Sequence, residues 1–172
     1  VQISQGFPYG TGNSPYTITQ LTGSYSNIPD FLDSQHQIET AEDAEAYLSR
    51  LAAFPTALDQ ETERMLADFA AGAIPPDFVI DKTLLQLANL HDTPAAESIM
   101  TTSVQRRATE KGLAGDWAAR AERIVQGEIY PALVRQAEAM KARRAEAVHD
   151  AGVWRLPDGE AWYTYGLRNS TT

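Results

Sequence analysis

Residues 1–40 contain no Ala, and no Lys or Arg precedes Arg50, whereas Ala is abundant from Ala41 to Ala151. Helices favour Ala and long straight side chains, so this step predicts two regimes joined near Thr40. An irregular arm with a short strand spans 1–39, a helical core 40–150, and a turn-and-strand tail 151–172. The arm, GFPYGTGNSPYTITQLTGSYSNIP from Gly6, is dense in Gly, Pro, Ser, Thr and Tyr, which favours turns and extended pieces. Tyr16, Ile18 and Gln20 alternate with Thr17, Thr19 and Leu21, the pattern of one strand. Ile28-Pro29-Asp30-Phe31-Leu32 reads as the start of a short helix, capped at Asn27 or Ile28 with Pro29 at its first position.

From Thr40 the signals are helical. A hydroxyl precedes Glu42 and Asp43 in the first turn, and Tyr47, Leu48, Leu51 and Phe54 recur at helical spacing until Pro55 predicts a stop. Asp59 then opens a second helix, with Leu58, Met65, Leu66, Phe69 and Ala70 as its stripe and Gly72 with Pro75-Pro76 as its end. A third runs from Pro76 through Phe78, Val79, Leu84, Leu87, Ala88 and Leu90 to His91-Asp92. Thr93-Pro94 reads as the start of a fourth, which carries Ile99, Met100, Val104 and Ala108 to Lys111-Gly112. The longest stretch, Asp116 to His149, keeps an apolar face through Trp117, Ala121, Ile124, Val125, Ile129, Leu133, Ala137 and Met140. Pro131 predicts a kink or boundary near Gly127 to Pro131, because it removes a helical hydrogen bond and crowds the carbonyl four residues back.

In the tail, Pro157-Asp158-Gly159 is a strong turn signal, and Glu160 to Leu167 reads as a strand. Trp162, Thr164 and Gly166 would then face one way, and Tyr163, Tyr165 and Leu167 the other. The expected fold is mainly α: five or six helices, a kinked long helix near 116–149, and short β segments at both ends.

Charge and composition narrow the function. The chain of 172 residues has 14 Lys+Arg against 23 Asp+Glu, a net charge of −9, and is 43% hydrophobic. It can bury a core, and it gives a phosphate backbone or an anionic membrane no electrostatic foothold, so no nucleic-acid partner is expected. No apolar run approaches the roughly 18 residues of a membrane span. With no Cys, thiolate metal sites, disulfides and Cys nucleophiles are excluded, while the compartment stays open. The chain begins at Val1 and not Met, without a charged-then-apolar leader, as expected of one whose native start lies upstream or has been removed.

Catalytic constellations are sparse. His36, His91 and His149 are isolated from one another, and His36 has a carboxylate at helical spacing, Glu39 in HQIE; a metal there would lack further ligands, so His36 reads as a surface residue near a helix start. Glu39, Glu42, Asp43 and Glu45 surround a helix N-terminus, where carboxylates complement the dipole, and Asp59, Glu61 and Glu63 read likewise. Gly10-Thr-Gly-Asn-Ser14 lacks the ending of a phosphate-binding loop and reads as a turn. No G-x-S-x-G is present, so the catalytic residues are unknown and no metal ligand is assigned. Trp162, Tyr163 and Tyr165 are the most suggestive cluster, because an aromatic strand beside a cleft can hold an extended peptide.

Three blocks carry a resemblance: GFPYGTGNSPYTITQLTGSYSNIPDFLDSQHQIETAEDAEAYLSRL, then IYPAL, then GVWRLPDGEAWYTYGLRNSTT. In this order they resemble the bacterial family called domain of unknown function 885. The resemblance implies a largely helical protein several hundred residues long, grouped with zinc metallopeptidases and often exported or lipid-anchored. The family's His-Glu metal motif lies downstream of the block ending in Thr171-Thr172, so the chain is expected to be a fragment, inactive alone. Zinc then belongs to the parent protein, with no cofactor in this chain. Its partner would be the remainder of the parent chain or a second polypeptide. Trp162, Tyr163 and Tyr165 would contribute to a cleft for a peptide substrate. The alternative is a stand-alone helical module that binds a protein or peptide and catalyses nothing.

Overall fold

Thr40 does at the start of the core what its neighbours in sequence predict. Its hydroxyl accepts from Asp43 N–H at 3.2 Å, while the Asp43 carboxylate accepts from the N–H groups of Thr40 and Glu39, each at 3.0 Å. This reciprocal cap opens the longest helix of the protein, known here from a computed structural model that describes residues 7–10 and 14–171. Thr11–Asn13 of the predicted Gly10–Ser14 turn lie outside the described residues.

The helices are α1 (Ser24–Ser34), α2 (Ala41–Ala70), α3 (Asp77–Asp92), α4 (Ile99–Glu110), α5 (Trp117–Ile124), α6 (Tyr130–Ala142) and α7 (Gly159–Thr171). A π turn over Val125–Ile129 joins α5 to α6, so 117–142 is one interrupted helix and the described residues hold six helices in all. The interruption falls where Pro131 predicts it. Proline has no N–H to give the Gly127 carbonyl; the wider turn, closed by Tyr130 N–H on the Val125 carbonyl, absorbs the misfit.

Two long helices make the centre. α2 packs along α5, the π turn and α6; α3 flanks α6, while α4 flanks α5 and, with α1, covers the start of α2. The apolar stripe of α2, Tyr47, Leu51, Phe54, Leu58 and Met65, is 0–1% exposed and meets Ile80, Leu87, Met100, Ile129 and Leu133 in one core. Full burial of each aliphatic side chain here contributes about 2 kcal/mol. That continuous stripe also explains why Pro55 does not end the helix. Burial on both sides of it, at Leu51, Phe54 and Leu58, carries α2 through, and Asp59 is no cap but a bidentate partner of Arg135 on α6, at 2.7 and 3.0 Å.

Other boundaries also differ from expectation. α1 begins at Ser24, five residues before Pro29, with the Glu61 carboxylate accepting from Ser24 N–H at 2.8 Å. Thr93-Pro94 forms a turn, its Pro94 carbonyl taking the N–H groups of Glu97 and Ser98, and α4 starts later on a Ser98 cap. The long helix stops at Ala142, short of the expected His149.

The β segments expected at both ends are absent among the described residues. At Thr19 and Thr22 only an isolated antiparallel bridge forms. Side chains of the helices take the arm's polar groups: Asp68 receives the Thr17 hydroxyl, and the Tyr25 hydroxyl donates to the Thr19 carbonyl at 2.9 Å. Burial pushes the Tyr25 phenol up to about 12, so it is a neutral donor. The tail is α7, a helix and not a strand, because Trp162 and Tyr165, three residues apart, share one helical face and pack there on Phe7 of the arm.

His36 is buried and not on the surface, its exposure only 4%. Its Nε2 faces the Asp43 carbonyl at 3.0 Å, its Nδ1 meets Arg50, and its ring stands edge-on to Tyr47. Guanidinium groups only donate and carbonyls only accept, so these contacts select the neutral ring with its hydrogen on Nε2. Arg107 completes the corner by donating to the carbonyls of His36 and Leu32 at the end of α1.

Carboxylates held by guanidinium partners and by a helix cap set the acid response. Arg120 holds the Glu45 carboxyl below the usual carboxylate range, Arg144 does the same to Asp81 and Arg143 to Glu146, and the N–H groups of Glu39 and Thr40 do it to Asp43. A depressed folded value contributes stability that is complete above the unfolded value and is lost as the pH falls through the folded one. Burial acts the other way on Glu61, raising it. Four lowered groups against one raised group predict that chemical stability falls steadily as the pH drops from about 5 to 3. Urea midpoints that stay flat or rise over that interval would contradict this account.

Candidate functional site

The tail is built onto the arm and the end of α2. Tyr9 donates its hydroxyl to the Pro157 carbonyl, and Arg155 donates to the Tyr16 hydroxyl at 2.9 Å and the Ile74 carbonyl at 2.6 Å. Burial raises the phenols of both Tyr9 and Tyr16, so these hydroxyls stay protonated. Around these bonds Tyr9, Ala73, Leu156 and Trp162 form a second small core, with Phe7, Tyr16, Ala71 and Val153 against it. The first and third blocks of the sequence thus meet in space.

Within the tail, a single turn of 3₁₀ helix over Val153–Arg155 leads through Pro157 to Asp158, whose φ of 54° is left-handed, and then into α7. Asp tolerates that conformation better than most residues. A Cβ on Gly159 would lie 2.0 Å from the Val153 carbonyl oxygen, so only Gly lets the start of α7 press onto the turn. Between the two lies a groove of about 700 Å³, lined by Asp150, Ala151, Gly152, Val153, Trp154, Gly159, Glu160 and Tyr163.

The three aromatic residues singled out in the sequence part company here. Trp162 is buried, with ring centroids 6.0 Å from Phe7 and from Tyr165. Tyr165 is half-buried on the same side. Tyr163 turns the other way, 57% exposed, into the groove. The strand alternation that pairs Tyr163 with Tyr165 is therefore wrong, since helical geometry puts Tyr165 with Trp162. Leu167, one turn beyond Tyr163, is also exposed.

Sequence reasoning missed Trp154, which is 72% exposed and lines the groove. The available signal was a Trp set between Gly152 and the Pro157-Asp158-Gly159 turn, with no large apolar residue at helical spacing. It missed Asp68 too, a carboxylate on the arc of Met65 and Phe69, now 1% exposed and bound to the arm. Several of the other sequence candidates are held in ion pairs. Glu39 pairs with Lys111, Glu45 with Arg120, His91 with Asp92 and His149 with Asp77. Among the described residues no three His, Asp or Glu converge as metal ligands. No described helix is long and apolar enough to cross a membrane.

Fold and groove together define a helical-bundle protein whose two ends build one aromatic surface. The chain belongs to the family of bacterial proteins of unknown function DUF885, whose sequence profile matches residues 3–172. A solved structure, described as "the putative lipoprotein from Colwellia psychrerythraea", superposes with a TM-score of 0.90 at 20% identity. The match covers 95% of this chain and 30% of that one, so this chain spans less than a third of the length of the protein it resembles. No curated protein matches the chain.

Proposed function

We propose that this chain is the non-catalytic helical part of a larger zinc-dependent peptidase or related hydrolase, and that its tail groove forms one wall of the substrate cleft. The observation that carries this reading is the groove itself, where Trp154 and Tyr163 are held outward, unpacked, on a turn and helix anchored through Trp162, Arg155 and Tyr9. Exposed aromatic side chains on a rigid support suit the binding of an apolar or peptide ligand. Family membership and the threefold greater length of the related structure support a parent protein in which other residues supply the metal and activate water. The zinc of this reading belongs to residues of the parent outside this chain, in keeping with described residues that gather no set of three metal donors. By analogy with the related lipoprotein, the parent is an exported bacterial protein.

The same exposed face, continued by Leu167, also fits the second reading, a helical module that binds a peptide and performs no chemistry. Both readings expect desalted protein to carry no stoichiometric zinc by elemental analysis and to leave test peptides uncleaved. Zinc retained at one equivalent, or metal-dependent cleavage by this chain alone, would overturn both.

A further inference from the structure

We infer that the tail groove selects a basic side chain, Arg or Lys, of a peptide. The inference rests on the groove being a peptide site and adds its charge preference. The described lining holds two carboxylates, Asp150 and Glu160, and no Lys, Arg or His. The nearest tail cation on the 3₁₀ turn, Arg155, points inward and is spent on the Tyr16 hydroxyl and the Ile74 carbonyl. Glu160 lies in the first turn of α7, and Asp150 keeps one oxygen on the Gly152 N–H at 2.7 Å, leaving its other oxygen for a ligand. Neither carboxylate is answered by a cation of the groove.

The remaining walls match the rest of such a side chain. Trp154 and Tyr163 offer π faces, which attract a guanidinium or ammonium group, and Val153 and Ala151 suit its aliphatic stem. A volume of about 700 Å³ admits the side chain together with its flanking backbone. The protein's net charge of −9 adds a long-range pull on a basic segment and repels an acidic one. An apolar side chain would fill the groove without answering its two exposed carboxylates, whereas a basic one pairs with them, which is the physical basis of the preference.

The test uses this chain and three blocked tripeptides, acetyl-Ala-X-Ala-amide with X as Arg, its uncharged isostere citrulline, or Glu. Binding is followed by NMR shifts of the Trp indole signals, with Trp154 assigned from Trp154→Phe. The Arg peptide should move the Trp154 signal and leave Trp117 unmoved, and citrulline should bind about tenfold more weakly, as one cation–π and charge contact requires. Glu160→Gln with Asp150→Asn should reduce that ratio to the part the Trp154 and Tyr163 rings supply, and salt at about 0.5 M should reduce it as well. Equal affinity for Arg and citrulline would overturn the charge preference and leave the peptide site standing. No shift with any peptide would overturn both. Concentration-dependent dimerisation that protects Trp154 would assign the groove to a second copy of the chain and overturn the inference as well.

Discussion

Asp68→Ala should destabilise the protein by about 3 kcal/mol, the range seen when a buried, bonded charge is removed from its partners. Asp68 is 1% exposed near the end of α2, and its carboxylate takes the Thr17 hydroxyl at 2.5 Å, the Gly10 N–H at 3.1 Å and the Arg64 guanidinium at 3.1 Å. Arg64 also donates to the Gly10 carbonyl at 3.2 Å, so the two side chains, one helical turn apart, hold both backbone polar groups of one arm residue. Truncation leaves the Thr17 hydroxyl, itself buried, without its acceptor. Because the arm supplies Phe7 and Tyr9 to the second core, loss should spread to the tail. Urea unfolding measures the first effect, and limited proteolysis within residues 7–22 under native conditions measures the second. Asp68→Asn keeps one oxygen, either for Gly10 and Arg64, which share Oδ1, or for Thr17 on Oδ2, and should fall between the parent and the Ala variant. An Ala variant within about 0.5 kcal/mol of the parent would show that water replaces the carboxylate without loss, and that the arm is held by Ile18 and Tyr25 alone.

This contact also marks the limit of what the sequence discloses. Elements governed by local rules are legible. The Thr40 cap needs only Asp43 three residues on, and the break near Pro131 follows from a missing N–H. Elements governed by distant partners are not. Glu160 to Leu167 carries strand-forming aromatics, yet Phe7, more than 150 positions earlier, rewards the helical face shared by Trp162 and Tyr165. Pro55 looks like a stop only until the burial of Leu51, Phe54 and Leu58 is known. The site divides the same way. Tyr163 was visible as part of an aromatic cluster, but its separation from Trp162 and Tyr165, and its pairing with Trp154 across a groove, depend on where α7 starts and on what lies beneath it.

What lies beneath it makes Gly159 the second sensitive position. Gly159→Ala should cost about 2–3 kcal/mol, as expected when a close-packed contact is overfilled. The added Cβ would sit 2.0 Å from the Val153 carbonyl oxygen and 2.9 Å from the Trp154 Cα, and both are backbone atoms that no rotamer change moves aside. Relief requires α7 to lift from the 3₁₀ turn, and that motion separates Tyr163 from Trp154 and draws Trp162 out of the second core. Stability and binding should therefore fall together, with the Trp162 indole signal shifting along with that of Trp154. Gly166→Ala is the control within the same helix: its Cβ would meet only the Trp162 ring at 3.9 Å, an ordinary contact. There the helix gains Ala in place of Gly, so stability should rise by about 0.5–1 kcal/mol with the groove unchanged. If both variants melt like the parent, the turn yields freely and the groove is not a preorganised surface. If Gly159→Ala alone is destabilised but binds the Arg peptide normally, Trp154 and Tyr163 act independently, and the site needs no fixed spacing between them.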